Sequence, residues 1–229
     1  MKTDIQMNTP NQPAPGKLIF LVFPIILYLV MGAVFTVAVR WFGKDMGYLL
    51  GFACYWLVFG LAIPAQLAGR DRFASLLKDQ APLFSRQNWM AALLWVIVML
   101  VALGMYAGKF VAAPLPLILL AIPSAIINGF CEEIFWRGVF VKTFPGNPWL
   151  AVIYPAVGFA LWHFIPQSIY PAENVFGFVL STLFLGLVYG FIAYRTGSAK
   201  WTAISHGLNG ILAVGGALAP TILKLLFKG

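Results

Sequence analysis

The stretch AIINGFCEEIFWRGVF, residues 125–140, is an apolar run interrupted by Glu132, Glu133 and Arg137. It lies in a chain of 229 residues that is 61% hydrophobic and only 10% charged. A soluble domain of this size needs a far larger polar surface, so the composition is that of a polytopic membrane protein. Two adjacent carboxylates and a guanidinium inside such a run therefore need a reason.

Working outward, seven apolar runs approach the ~20 residues that a helix needs to cross a hydrocarbon core of about 30 Å. They cover 18–39, 47–68, 89–107, 114–136, 149–165, 175–194 and 201–220. A closed barrel would instead show short alternating strands, whereas these runs are continuous. The expected fold is all-α: a transmembrane helical bundle of about seven spans, or eight with a re-entrant piece, around an intramembrane polar cavity. No internal repeat is visible, so an inverted-repeat transporter architecture has no support.

Residues 1–16 are polar and Pro-rich and read as a disordered tail, leaving 17–229 as one transmembrane domain. The first apolar run is too long for a signal-peptide core. Residues 69–88 form the longest polar connection, and Phe73, Leu76 and Leu77 stand at the spacing of a short interfacial helix. The net charge of +8 suggests no nucleic acid, because ten of the fifteen Lys and Arg fall in the tail with Lys17 at its end, 69–88, 137–148 and 195–200. The positive-inside rule then places the N-terminus inside the cell. The expected location is the cytoplasmic membrane of a bacterium. Cys54 and Cys131 are too few for a disulfide framework, and Cys131 beside Glu132 reads as inert packing rather than a thiolate nucleophile.

Of the seven acidic residues, five lie in the tail and loops; only Glu132 and Glu133 are embedded. The chain's two histidines, His163 and His206, are embedded as well. An ionisable group near mid-bilayer costs about 2.5–3.5 kcal/mol on insertion scales, so it usually serves a site or a buried pair. Glu133 and Arg137 are four apart with the acid first, the favoured order for a helical ion pair. Glu132 points ~100° away, on a face with Asn128 and Trp136. A structural salt bridge beside a protonated second glutamate is one account; the other leaves Glu132 free to act as a base.

The turn chemistry of PGNP, 145–148, makes a hairpin of the flanking helices. Glu132 and His163 then lie roughly 21 and 25 Å from the turn, at similar depth, and His206 enters from the same side roughly 13 Å deep. Phe159 is one turn before His163, and Asn209 is three residues after His206, close enough to aim its amide at the same place.

EEIFWR (132–137) resembles the EExxxR motif of the CPBP family of intramembrane proteases, which includes the CAAX prenyl endopeptidases and the bacterial Abi proteins. FALWH (159–163) matches its FxxxH motif, and HGLNG (206–210) is similar to its third, a His followed four residues later by Asn or Asp. Here the fourth residue is Gly210 and the Asn stands one place early, at 209. The resemblance covers about 114–215. It implies a glutamate-dependent protease in which Glu132 and His163 activate water, while His206 and Asn209 stabilise the oxyanion. Glu133, Arg137 and Phe159 would support them.

No cofactor is implied; a zinc on Glu132, His163 and His206 is the competing arrangement, although no HExxH is present. The implied substrate is a membrane-associated or lipidated peptide. A non-proteolytic immunity or scaffold protein and a proton-coupled transporter are the alternatives that the same buried groups allow. The sequence indicates neither an oligomeric state nor a prenyl pocket.

Overall fold

The computed structural model describes residues 19–68 and 73–227. The tail expected at 1–16 lies outside the described residues. All regular elements among those described are helical.

The first two apolar runs form one helical stretch, α1 (Ile19–Tyr55), which continues through a π-helical segment (Trp56–Ala62) and a last turn (Ile63–Ala68). It is not straight. Gly43 has φ 78° and ψ 170°, a conformation essentially reserved for glycine. Phe35 and Phe52, whose ring centroids are 5.6 Å apart, would be separated by roughly 25 Å along a straight helix. The chain therefore reverses at Gly43. A Cβ on Gly47 would lie 2.5 Å from the backbone of Val39, so the two arms touch near the corner.

Then follow α2 (Trp89–Ala112) and α3 (Leu115–Glu133), the latter extended by a π-helical segment (Ile134–Val139) and one more turn (Phe140–Thr143). A π-helical turn (Trp149–Ile153) leads into α4 (Tyr154–Trp162), and α5 (Phe164–Ile169) resumes after His163. The break has a local cause: Pro166 has no N–H to offer the carbonyl of Trp162. The remaining helices are α6 (Val175–Thr196), α7 (Lys200–Leu212) and α8 (Leu218–Leu226).

Among the described residues, five helices are long and apolar enough to cross a membrane: Ile19–Gln66, Arg86–Ala112, Leu115–Thr143, Trp149–Ile169 and Val175–Thr196. The difference from seven runs has two sources. The first two runs are joined in one folded stretch. The last, 201–220, is cut into α7 and α8 by positive φ at Val214, Gly215 and Gly216.

Where an interfacial helix is expected within 69–88, the described residues form a 3-10 turn, Ala74–Leu77, with Leu76 buried, and a second, Arg86–Asn88, before α2. This connection is tied to the helix ends: Ala199 N–H donates to Leu76 O at 2.9 Å, and Gln80 N–H to Thr196 O at 2.8 Å. Lys142 Nζ reaches Lys78 O at 3.3 Å on the same end of the bundle. At the other end Lys224 pairs with Asp45 at 2.7 Å and Tyr170 donates to Asp45.

The interior is aromatic. Phe35, Phe52, Tyr55, Trp136, Phe159 and Trp162 belong to one buried cluster. Elsewhere small residues let backbones meet, as apolar side chains alone give helices little reason to associate in lipid. One such close crossing is α3 on α7. A Cβ on Gly129 would stand 2.7 Å from Gly207 N, and one on Gly210 would stand 2.8 Å from Ala125 Cβ. This crossing sets His206 against the glutamates.

Candidate active site

Glu132, Glu133 and Arg137 end α3 and begin its π-helical extension, with at most 1% of each exposed. Arg137 Nη1 lies 3.2 Å from Glu133 Oε1, as the spacing predicts. The guanidinium also stacks on Phe159, its Cζ 4.2 Å from the ring centre, with Tyr189 at 5.8 Å. A planar cation between aromatic faces keeps favourable contacts where no water is available.

His206 spans the two acids. Its Nδ1 is 3.0 Å from Glu133 Oε1, and its Nε2 is 3.5 Å from Glu132 Oε2. With the ring protonated, two cations face two carboxylates, which removes the like-charge objection to burying Glu132 and Glu133 together. The His206 side chain is 18% exposed, so the cluster is not sealed on that side.

Glu132 is held on both oxygens. Trp162 Nε1 donates to Oε1 at 3.3 Å, and Asn128 Nδ2 to Oε2 at 3.1 Å. Trp162 is the neighbour of His163, so the depth argument from the 145–148 turn brings α3 and α4 into the expected register.

His163 sits at the α4–α5 break. Its Nδ1 lies 2.7 Å from Phe159 O. A carbonyl only accepts, so this nitrogen carries the proton and Nε2 of the neutral ring keeps its lone pair. His163 makes no direct bond to Glu132. It reaches the cluster through Phe159, whose ring lies 4.6 Å from the His163 ring and 6.3 Å from that of His206. Phe159 thus packs on Arg137 and both histidines at once.

Asn209 goes elsewhere. Its Nδ2 donates to Tyr189 OH at 3.0 Å, and that hydroxyl is 2.9 Å from Ser205 Oγ. The Tyr189 ring stands 6.1 Å from His206, so Asn209 borders the cluster behind a tyrosine rather than facing the glutamates. Gly210, where the motif would put the amide, is pressed against Ala125 and has no room for a side chain.

Among the described residues no three His, Cys, Asp or Glu side chains are grouped so as to hold a metal ion. Where the sequence reading expects a polar cavity, Glu132, Glu133, Arg137 and His206 lie together as one cluster. Trp162, Tyr189, Ser205, Tyr55 and Trp56 escaped the sequence reading. One signal was available: an indole or phenol in an apolar segment needs a partner for its polar end, and few partners exist.

Together these features define an integral membrane protein, a helical bundle with a buried carboxylate–imidazole–guanidinium cluster. Residues 114–212 match the family model described as Type II CAAX prenyl endopeptidase Rce1-like. That segment carries all three motifs and is similar to the CPBP/Abi family of membrane proteases. No curated protein and no solved structure matches the chain.

Proposed function

We propose that the protein is an intramembrane endopeptidase acting on a membrane-associated or lipid-modified peptide. Glu132, with His163 Nε2, holds a water and takes its proton as the oxygen bonds to the peptide carbonyl carbon. His206, across from Glu132, donates to the oxyanion that forms, while Asn209 supports that side of the site through Tyr189. Glu132 then returns the proton to the leaving nitrogen as the C–N bond breaks. Arg137 and Glu133 brace the cluster. No metal takes part, and zinc on Glu132, His163 and His206 is the competing arrangement.

The observation that carries the proposal is Glu132 itself: a carboxylate 1% exposed in an apolar interior, beside an imidazole, in a segment of an endopeptidase family. Residues 17–229 form one domain crossing the membrane seven times. The crossings are the two arms of α1, α2, α3, α4 with α5, α6, and the broken α7–α8 pair. The reversal at Gly43 supports counting α1 twice. The Lys and Arg distribution supports an internal N-terminus in a bacterial cytoplasmic membrane.

A second reading, a non-proteolytic immunity or scaffold protein, is favoured by one observation: Asn209 is bonded to Tyr189 instead of facing the cluster. N-terminal proteomics on membranes carrying the wild type or Glu132→Gln at matched expression separates the two. Protease activity predicts termini that vanish in the variant. Identical sets, with Glu132→Ala and His163→Ala tolerated in complementation, would leave the scaffold.

A further inference from the structure

The N-terminal hairpin lies outside the matched segment, yet its second arm touches the site at two consecutive residues. The Tyr55 ring stacks on the Trp162 indole, centroids 4.2 Å apart. Trp56 Nε1 donates to Asn128 Oδ1 at 2.9 Å. Each contact leads to a different oxygen of one carboxylate, because Trp162 donates to Glu132 Oε1 and Asn128 to Oε2.

Chemistry fixes the direction of these paths. An indole N–H can only donate, so Asn128 must turn Oδ1 to Trp56 and its NH2 group to Glu132. A flipped amide would set N–H against N–H. Both carboxylate oxygens are therefore acceptors, and the plane of the group is fixed from two sides. Two further contacts hold the arm in place. A Cβ on Gly60 would lie 2.6 Å from Cys131 Cβ, the residue before Glu132. Trp136 Nε1, one turn beyond Glu132, donates to Tyr55 OH at 2.9 Å.

We infer that Tyr55 and Trp56 are positioning residues for Glu132, which makes the N-terminal hairpin a working part of the site. The inference rests on Glu132 being the base of the proposed protease. Misplacing a catalytic group by an ångström can cost about 100-fold, so partial loss of one restraint is expected to slow cleavage about tenfold.

The test uses the full chain in liposomes. Wild type minus Glu132→Gln in difference infrared spectroscopy isolates the Glu132 stretch. Trp56→Phe, which keeps a ring and removes the N–H, and Asn128→Leu are each expected to shift it. The double variant should shift it no further than Asn128→Leu, because the two groups act in series. Tyr55→Leu should add its own shift through Trp162. In membranes, Glu132-dependent termini should appear about tenfold more slowly in Trp56→Phe. A stretch unmoved by both Trp56→Phe and Asn128→Leu, or termini appearing at the wild-type rate in Trp56→Phe and Tyr55→Leu, would overturn the inference. Identical termini in wild-type and Glu132→Gln membranes would instead remove the protease reading, and the inference with it.

Discussion

Gly210 packs so closely on α3 that a Cβ there would stand 2.8 Å from Ala125 Cβ. Ala125 is itself buried, and the neighbouring Gly129–Gly207 approach leaves α7 no freedom to back away. The displaced asparagine is thus a packing consequence: this crossing excludes a side chain at 210, and the amide stands one residue earlier.

Gly210→Asn, which restores the family spacing, is therefore expected to destabilise the protein by about 1–3 kcal/mol, the usual range for overpacking. Thermal unfolding in detergent would register it as a lower midpoint. Adding Ala125→Gly should recover much of the loss, because it removes the atom that the new side chain meets. No recovery would mean that α3 and α7 are not this close.

Arg137 and Glu133 are both fully buried, so their variants should separate charge from stacking. Arg137→Ala leaves His206 as the one cationic group beside Glu133 and is expected to cost about 3–5 kcal/mol. Arg137→Lys keeps the charge but loses the flat contact with Phe159, and should fall between the wild type and Arg137→Ala. Equal stability of the lysine variant and the wild type would show that the Phe159 contact contributes nothing.

Tyr189→Phe removes a hydroxyl that accepts from Asn209 and pairs with Ser205. Asn209 loses its acceptor and Ser205 keeps only Met99 Sδ, so a loss of about 1–3 kcal/mol is expected. If Asn209 serves the oxyanion side through this tyrosine, cleavage should fall further than stability does. Measuring kcat at a temperature well below the unfolding midpoint makes that distinction.

The proposed water-activating chemistry needs no metal. Cleavage by the purified protein should survive 1,10-phenanthroline and EDTA at millimolar concentration, with added zinc giving no gain. Loss of activity that zinc restores would favour the competing arrangement on Glu132, His163 and His206.

The parts legible in the sequence were those set by periodicity along one helix. The Glu133–Arg137 pair, the Asn128–Glu132 face and the Phe159–His163 neighbourhood each follow from a four-residue spacing. Across the 145–148 turn it is Trp162, one residue before the expected His163, that bonds to Glu132. Contacts that depend on how helices cross were not legible. Nothing local marks Tyr189 as the partner of Asn209, or Trp56 as the partner of Asn128, 72 residues away. The reversal at Gly43 falls between the first two apolar runs, 18–39 and 47–68, which the sequence already separates as two spans. What the sequence does not show is that helix runs up to the corner on both sides. Its single glycine sits in WFGKDM, where two apolar runs are joined by few polar residues and no proline.

That reversal supplies the last prediction. Gly43 holds φ 78° and ψ 170°, so Gly43→Ala should cost about 1–3 kcal/mol in backbone strain, although nothing lies within 4 Å of the added methyl. Gly104 and Gly108 in α2 have equally open surroundings but helical backbone. Alanine there should be neutral or stabilising by about 0.4–1 kcal/mol. The comparison isolates conformation from packing, because all three substitutions add the same atom into open space. Thermal midpoints in one detergent would decide it: a fall at 43 alone confirms the tight corner. That corner brings Phe52, Tyr55 and Trp56 back against the first arm and the site, so its strain should also lower the protection of the second arm in hydrogen exchange.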